Sequence, residues 1–337
     1  MNLPGWGTVS TVDCAPMLAL ANAAWHVASG AREVHLYLDS AESADAAPFS
    51  AIQGCRVTIC DSEYWTREHG TTRPDFHQHR QVLNATHALE RTGTDYLLHL
   101  DADEFLWQRE PLGRELARLR RGAFLQVGVV ERVWVAGEDR SPLFSPTFRV
   151  PETLFDPPDL SLTADIEGLT RWGLTGHAAG KSVVPRGFGY RMNIHHPVLR
   201  GSGGRKPPRT HSVDCSILHF DGVTRLEWIY KLMRKAEAIS TWPDAPASET
   251  RLRQIAAMLA AGRDRAAVNA LHDRLKCPDS ETADRLWTND RLVRADLGIA
   301  AALDQFVPGG ASRLTAETYD RWLWGRSADL FRAYGLD

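Results

Sequence analysis

Apolar runs of strand length recur along the first half of the chain, and several run straight into an aspartate. Thr8-Val9-Ser10-Thr11-Val12 precedes Asp13, Glu33-Val34-His35-Leu36-Tyr37-Leu38 precedes Asp39, and Cys55-Arg56-Val57-Thr58-Ile59-Cys60 precedes Asp61. Between the first two, Pro16 suits the first position of a helix. Leu18, Ala21, Trp25 and Ala28 then follow at helical spacing, and Gly30 sits where a C-terminal cap would. Strand, helix, strand at this spacing predicts right-handed βαβ units on a parallel sheet. Residues 74–90 predict a further helix, with Phe76, Val82, Leu83, Thr86 and Leu89 on one side and His77, Arg80, Gln81 and Asn84 on the other.

The most informative run is Tyr96-Leu97-Leu98-His99-Leu100-Asp101-Ala102-Asp103-Glu104-Phe105-Leu106-Trp107. Its apolar start reads as a buried strand of a parallel sheet. Side chains alternate along an extended strand, so Asp101 and Asp103 are expected to point the same way. Two hard oxygen ligands on one side of a strand end make half of a divalent-cation site. Core-like residues flank the acids on both sides, where an unpaired charge is costly. Ligands of open α/β sheets bind outside the carboxyl ends of the strands, which is where these acids fall.

Further along, Ala123 to Val130 reads as a buried strand continued by Arg132 to Val135. Residues from Ser141 to Thr170 lack clear periodicity and form a candidate acceptor-side loop. The Gly180-Lys181-Ser182 triplet is no phosphate loop, because Thr175 stands where that motif requires a glycine and Pro185 cuts any helix short. Lys181 to Val184 reads as a strand instead. Tyr190 to Pro197 reads as a strand ending in His195 and His196, of which alternation lets one face a site. Arg200 to Arg209 is either a surface turn or a basic flap over a phosphate group. Val213 to Gly222 is the last clear strand, with His219 at its end. From Thr224 the pattern is helical: Leu226, Ile229, Leu232, Met233, Ala236 and Ile239 form one stripe, and further helical patterns cover 249–262, 263–276 and 315–334.

With 337 residues, 43% of them hydrophobic and 24% charged, the chain suits one large packed α/β domain, or one domain plus a helical appendage. A formal net charge of -3 gives no reason to expect nucleic acid as a partner. Cys14, Cys55, Cys60, Cys215 and Cys277 lie far apart without metal or redox spacing, which fits reduced thiols in a cytoplasmic protein. No secretory signal and no bilayer-spanning run is visible. Eleven tryptophans and basic C-terminal helices leave peripheral membrane association open, although core packing explains them as well.

Leu98-His99-Leu100-Asp101-Ala102-Asp103-Glu104-Phe105 resembles the D-A-D-E-F signature of a group of family 2-like glycosyltransferases with the GT-A fold. The opening of the chain resembles the same group in Trp25-His26, Gly30-Ala31 and Leu36-Tyr37-Leu38-Asp39-Ser40, whereas Val12-Asp13-Cys14 replaces the Lys-Asn-Glu often found after the first strand. The resemblance implies an α/β GT-A fold, Rossmann-like, with a mostly parallel sheet flanked by helices over residues 1–223 and a helical C-terminal extension over 224–337. It implies a nucleotide-sugar donor, a UDP-sugar first, and a glycan or glycolipid acceptor. It also implies that Asp101 and Asp103 hold Mn²⁺ or Mg²⁺ against the donor diphosphate. Asp13, Asp39, Arg80, Asn84 and Asp101 would contact the donor. His219-Phe220-Asp221-Gly222 resembles the context in which a late histidine completes the metal site, with His196 as rival for that place. An inverting enzyme needs a general base, for which His196 is the first candidate and Glu167 and Asp221 are others. Two other classes share features of this sequence: a D-x-D phosphohydrolase of the haloacid dehalogenase kind, and a non-catalytic sugar-binding protein on a degenerate GT-A fold.

Overall fold

The computed structural model of the protein describes residues 3–39, 43–153, 166 and 168–336. The chain opens with β1 (Trp6–Val12), α1 (Pro16–Ala28), β2 (Glu33–Leu38), a 3₁₀ segment (Ser43–Ala51), β3 (Cys55–Ile59), α2 (Ser62–His69) and α3 (His77–Arg91). It continues through β4 (Tyr96–His99), β5 (Glu104–Gln108), α4 (Leu112–Leu116), β6 (Phe124–Arg132) and β7 (Thr147–Arg149). Then come β8 (Lys181–Pro185), β9 (Tyr190–Arg191), β10 (Val198–Leu199) and β11 (Arg209–His219). The last part holds α5 (Arg225–Thr241), α6 (Glu249–Ala260), α7 (Arg265–Lys276), α8 (Ser280–Thr288), β12 (Leu292–Arg294), α9 (Ile299–Phe306) and α10 (Ala316–Ala333).

Two compact units are interleaved along this order. The first comprises Met1–Gly128, Ala179–Ile217 and Gly298–Ala311, and the second Val129–Ala178, Leu218–Leu297 and Ser312–Asp337. Residues 1–223 and 224–337 therefore each contribute to both units.

In the first unit the strand order is β6, β8, β4, β1, β2, β3. Pairing is parallel across β4, β1, β2 and β3 and antiparallel on both sides of β8, so β8 alone of these six runs against the rest. This is an α/β arrangement with a mixed, mostly parallel sheet flanked by helices. Helix α1 starts at Pro16 and buries Ala19, Ala21, Ala23 and Ala24, small residues that permit close packing. Asp61 caps α2 by accepting the Tyr64 N–H at 2.8 Å, and Gly70 ends it in the left-handed conformation. Helix α9 packs against α1, so one piece of the expected C-terminal extension belongs to this unit.

In the second unit β7 pairs antiparallel with both β6 and β12. Helix α5 packs against α6, α7 and α10. Thr224 caps α5 by accepting the Glu227 N–H at 3.1 Å, while Glu227 reaches back to the Val223 N–H at 2.6 Å. The region after Thr224 is thus mainly helical, as expected, with β12 added. Among the described residues no helix is long and apolar enough to cross a membrane. The five cysteines, all described, form no disulfide.

Two local expectations are corrected. The strand that carries the D-A-D triplet stops at His99, and residues 101–103 form a turn closed by the Glu104 N–H donating to the Asp101 carbonyl at 3.1 Å. Alternation along a strand therefore does not set the directions of Asp101 and Asp103. Similarly, β9 ends at Arg191, and His195 and His196 lie in a bend where the two-sided alternation does not apply.

Gly180 delivers the chain into β8 with a φ of +67°, and a Cβ there would overlap the Val127 carbonyl oxygen. Gly180→Ala is expected to destabilise the protein by about 2–4 kcal/mol, from left-handed strain and backbone overlap together. The shift of its urea midpoint measures this, and an unchanged midpoint contradicts it.

Candidate active site

Four neighbouring parallel strands are each followed by an aspartate. In sheet order, β4 leads to Asp101, β1 to Asp13, β2 to Asp39 and β3 to Asp61. Val12 and Leu38 are in register, so Asp13 and Asp39 leave adjacent strand ends together.

The Asp39 carboxylate is buried and meets a converging set of donors. Arg80 on α3 donates to both of its oxygens at 2.8 Å, Arg73 lies at 3.0 Å and His77 at 3.6 Å. Arg80 also donates to the Pro74 and Asp75 carbonyls at 2.7 Å each, which pins the segment before α3. Burial alone would raise the Asp39 pKa, but the His77 and Arg80 hydrogen bonds and the nearby guanidinium charges hold it down to about 2. Beside it lies a cavity of about 360 Å³ lined by Asp39, Cys60, Asp61, Ser62, Thr66, Thr72 and Arg73. Asn84, expected at the donor, is fully buried and uses both ends of its amide within the protein. It donates to Thr11 Oγ1 at 3.0 Å and accepts from the Tyr64 hydroxyl at 2.7 Å.

The D-A-D turn is gripped from two sides. From α1, Asn22 donates to the Ala102 and Glu104 carbonyls at 3.2 and 2.8 Å, and Trp25 donates to the Leu106 carbonyl at 3.3 Å. His26 accepts the Leu106 N–H at 3.2 Å, a role open to its neutral ring, since burial lowers its pKa to about 4. Trp25 and His26 thus hold the turn in place. From β8, the ammonium of Lys181 lies 2.7 Å from Asp101 Oδ2 and 3.0 Å from Glu104 Oε2. Gln81 on α3 donates to Asp101 Oδ1, and the Asp101 N–H donates to Glu104 Oε2 at 2.8 Å. Lys181 is completely buried. Burial alone would lower its pKa, but the Asp101 and Glu104 carboxylates outweigh that and hold it raised. Asp103, in the same turn, is 7% exposed.

Gln126 on β6 links this ion pair to a histidine. Its amide nitrogen faces the Ala179 and Lys181 carbonyls at 2.8 and 3.2 Å, which turns its oxygen toward His196 Nδ1 at 2.8 Å. Nδ1 must then carry the proton, and Nε2 keeps the lone pair. Burial, with Lys206 and Arg209 nearby, lowers the His196 pKa and favours the neutral ring. His195 is tied to the Gly180 carbonyl through Nδ1 at 2.9 Å.

His219 ends β11 in the second unit, with Nδ1 3.8 Å from Glu131 Oε2. Asp221 is buried, accepts from Thr175 Oγ1 at 2.8 Å, and lies 3.4 Å from Arg251 and 3.8 Å from Lys231. Burial would raise its pKa, but these cations and Lys276 keep it well below the usual carboxylate range, which makes it a poor proton acceptor. Glu167 and residues 154–165 of the proposed acceptor-side loop lie outside the described residues. A further group of candidate metal ligands, His272, Asp273 and Cys277, lies on and just after α7. Its Asp273 is already paired with Arg225 through two contacts of 2.8 Å.

Sequence reasoning missed Lys181, Asn22 and Gln126. The available signal was a lysine heading an otherwise apolar strand, a position that in a buried strand demands a carboxylate partner.

No family model matches the chain, and no curated protein matches it in sequence. Among solved structures it is similar to HddC from Yersinia pseudotuberculosis, with a TM-score of 0.35 and 9% identity over 68% of this chain and 97% of that one. A likeness this distant carries no argument about activity.

Two outcomes are expected. Lys181→Met leaves Asp101 and Glu104 without their shared ammonium and should destabilise folding by about 3–5 kcal/mol. A denaturation midpoint like that of the wild type contradicts this. Asp39 has a folded pKa below its unfolded value, so its contribution is complete above the unfolded pKa and is lost as pH falls through the folded one. It should amount to about 2 kcal/mol, disappearing between about pH 4 and pH 2. Urea unfolding across that range should show a shallower loss for Asp39→Asn than for the wild type.

Proposed function

We propose that the protein is a GT-A-type glycosyltransferase, moving a sugar from a nucleotide-sugar, a UDP-sugar first, to a hydroxyl of a glycan or glycolipid. One observation carries this reading: the four adjacent parallel strand ends, each followed by an aspartate, beside a cavity at the ends of β2 and β3. Open α/β sheets bind ligands at this edge.

In this reading the cavity beside Asp39 takes the nucleoside, with Asp39 and Asp13 as hydrogen-bond acceptors and Arg80 holding Asp39 in orientation. Asp101 and Asp103 would hold Mn²⁺ or Mg²⁺. The donor chemistry fits such a hard cation: each carboxylate oxygen offers two lone pairs, so single bonds from Gln81 and Lys181 do not exclude a metal. When bound, the cation would supply Lewis-acid neutralisation of the leaving diphosphate. Lys181 adds a fixed positive charge at the same turn. His196 is suited to take the acceptor hydroxyl proton at Nε2, because Gln126 occupies Nδ1.

The test is turnover of a panel of nucleotide-sugars with Mn²⁺, read as nucleoside diphosphate released. Asp103→Ala should abolish turnover with the fold intact by far-UV circular dichroism. His196→Gln should lower kcat by about 10²–10⁴-fold while nucleoside diphosphate affinity is kept. Wild-type turnover in Asp103→Ala would sink the metal assignment. Hydrolysis of phosphate monoesters in place of nucleotide-sugars would sink the whole reading.

A further inference from the structure

We propose that the hairpin of β9 and β10, with the two segments packed against it in the first unit, is a docking surface for an anionic lipid bilayer. This goes beyond the catalytic reading and does not depend on it. The surface is built from residues 118–122, 186–191 and 198–209. Together they hold nine Arg and Lys residues and no Asp or Glu, in a chain whose formal net charge is -3. All nine are exposed. Among the described residues only Arg200 of the nine forms an ion pair, with Glu90. The positive charge is thus gathered on one part of the unit and left unneutralised by the protein itself. Against a negative surface, such a cluster outweighs the repulsion of a weakly negative whole and selects one orientation.

Backbone and side-chain contacts bring the three segments together. Tyr190 pairs with Leu199 across β9 and β10, and its hydroxyl donates to the Gly122 carbonyl at 2.6 Å. The Phe124 N–H donates to the Pro208 carbonyl at 3.0 Å, and the Leu199 N–H donates to the Arg205 carbonyl at 2.8 Å. The basic stretch after Leu199 is therefore fastened at both ends. Gly122 permits the close approach. Its φ is +75°, and a Cβ there would stand 3.1 Å from the Tyr190 hydroxyl oxygen and 3.4 Å from the Phe188 ring.

The apolar part of the surface is Phe188. Its ring stacks on Tyr190 with centroids 5.8 Å apart and a tilt of 18°, yet the residue stays 38% exposed. A large ring is thus held in place and still open to solvent. Beside it lies a hollow of about 500 Å³ lined by Phe188, Leu199, Arg200 and Arg205. Apolar walls next to guanidinium groups match the boundary between lipid phosphates and acyl chains, where aromatic rings and basic side chains both settle. A polyanion without an apolar part would engage the cations and leave Leu199 and the Phe188 ring in water. Charge and apolar contact together give stable membrane attachment where either alone is marginal.

The experiment is co-sedimentation of the full chain with vesicles of pure phosphatidylcholine, or of two parts phosphatidylcholine to one part phosphatidylglycerol. Binding to the anionic vesicles should be at least about tenfold tighter and should fall steeply as NaCl rises from about 0.05 to 0.5 M. The double variants Arg120→Ser with Arg121→Ser, and Lys206→Ser with Arg209→Ser, should each weaken it by about tenfold or more. Phe188→Ser should weaken it by about threefold or more and leave its salt dependence in place. Arg265→Ser with Arg313→Ser, exposed cations of the second unit, should bind as the wild type does. These sites are exposed, so far-UV circular dichroism of every variant should match the wild type. Equal binding to both kinds of vesicle, no binding to either, or wild-type binding by both basic double variants overturns the proposal. So does a short DNA duplex or inorganic phosphate that displaces the chain from the vesicles while Phe188→Ser has no effect, because the surface then reads phosphate alone.

Discussion

One ammonium shared between two carboxylates holds the D-A-D turn: Lys181 with Asp101 and Glu104. Removing the lysine leaves both carboxylates without their shared cation, the Glu104 one fully buried, which costs far more than a surface ion pair contributes. Much of the first unit's geometry follows from this need. Gly180 lets β8 start where Lys181 can reach the turn, Gln126 grips the backbone on both sides of Gly180, and the same amide fixes the tautomer of His196. A cation requirement at one strand end is thereby coupled, through a single glutamine, to the orientation of the candidate base.

The strand ends divide the remaining work. Asp39 is held by Arg80, Arg73 and His77, so it offers its acceptor positions from a fixed orientation rather than as a loose ligand. By fixing Arg80 it also fixes the carbonyls of Pro74 and Asp75, and with them the segment that supplies Thr72 and Arg73 to the cavity. Asn84, one turn beyond Arg80, belongs to the packing between α3, α2 and β1. One polar helix face thus splits into a residue that shapes the cavity and one that fastens the helix.

The second unit repeats the logic with different parts. Glu131 gathers Thr175, Gly176 and Lys276, and Thr175 passes the connection on to Asp221. A buried polar network with its members paired fixes positions more than it adds net stability. Here it fixes the backbone at Thr175 and Gly176.

The sequence alone determined the strands β1 to β4, the helices α1 and α3, the aspartates that follow the strands, and the mainly helical character after Thr224. Each is a local matter: burial imposes a period on apolar residues, and turn and cap residues punctuate it. Where side chains at the strand ends point was not local. The run through Leu100 looks extended, yet the strand stops at His99, and the turn that follows is held by Asn22, some 80 residues earlier in the chain, which donates to the Ala102 and Glu104 carbonyls. His195 and His196 escape strand alternation because Gly180 and Gln126 bind them in a bend. Lys181 lies 80 residues from Asp101, and neither residue's neighbours announce the other. Hydrophobic periodicity records how a segment is buried; which charge meets which is settled only when the strands are laid side by side, and tertiary structure alone decides that.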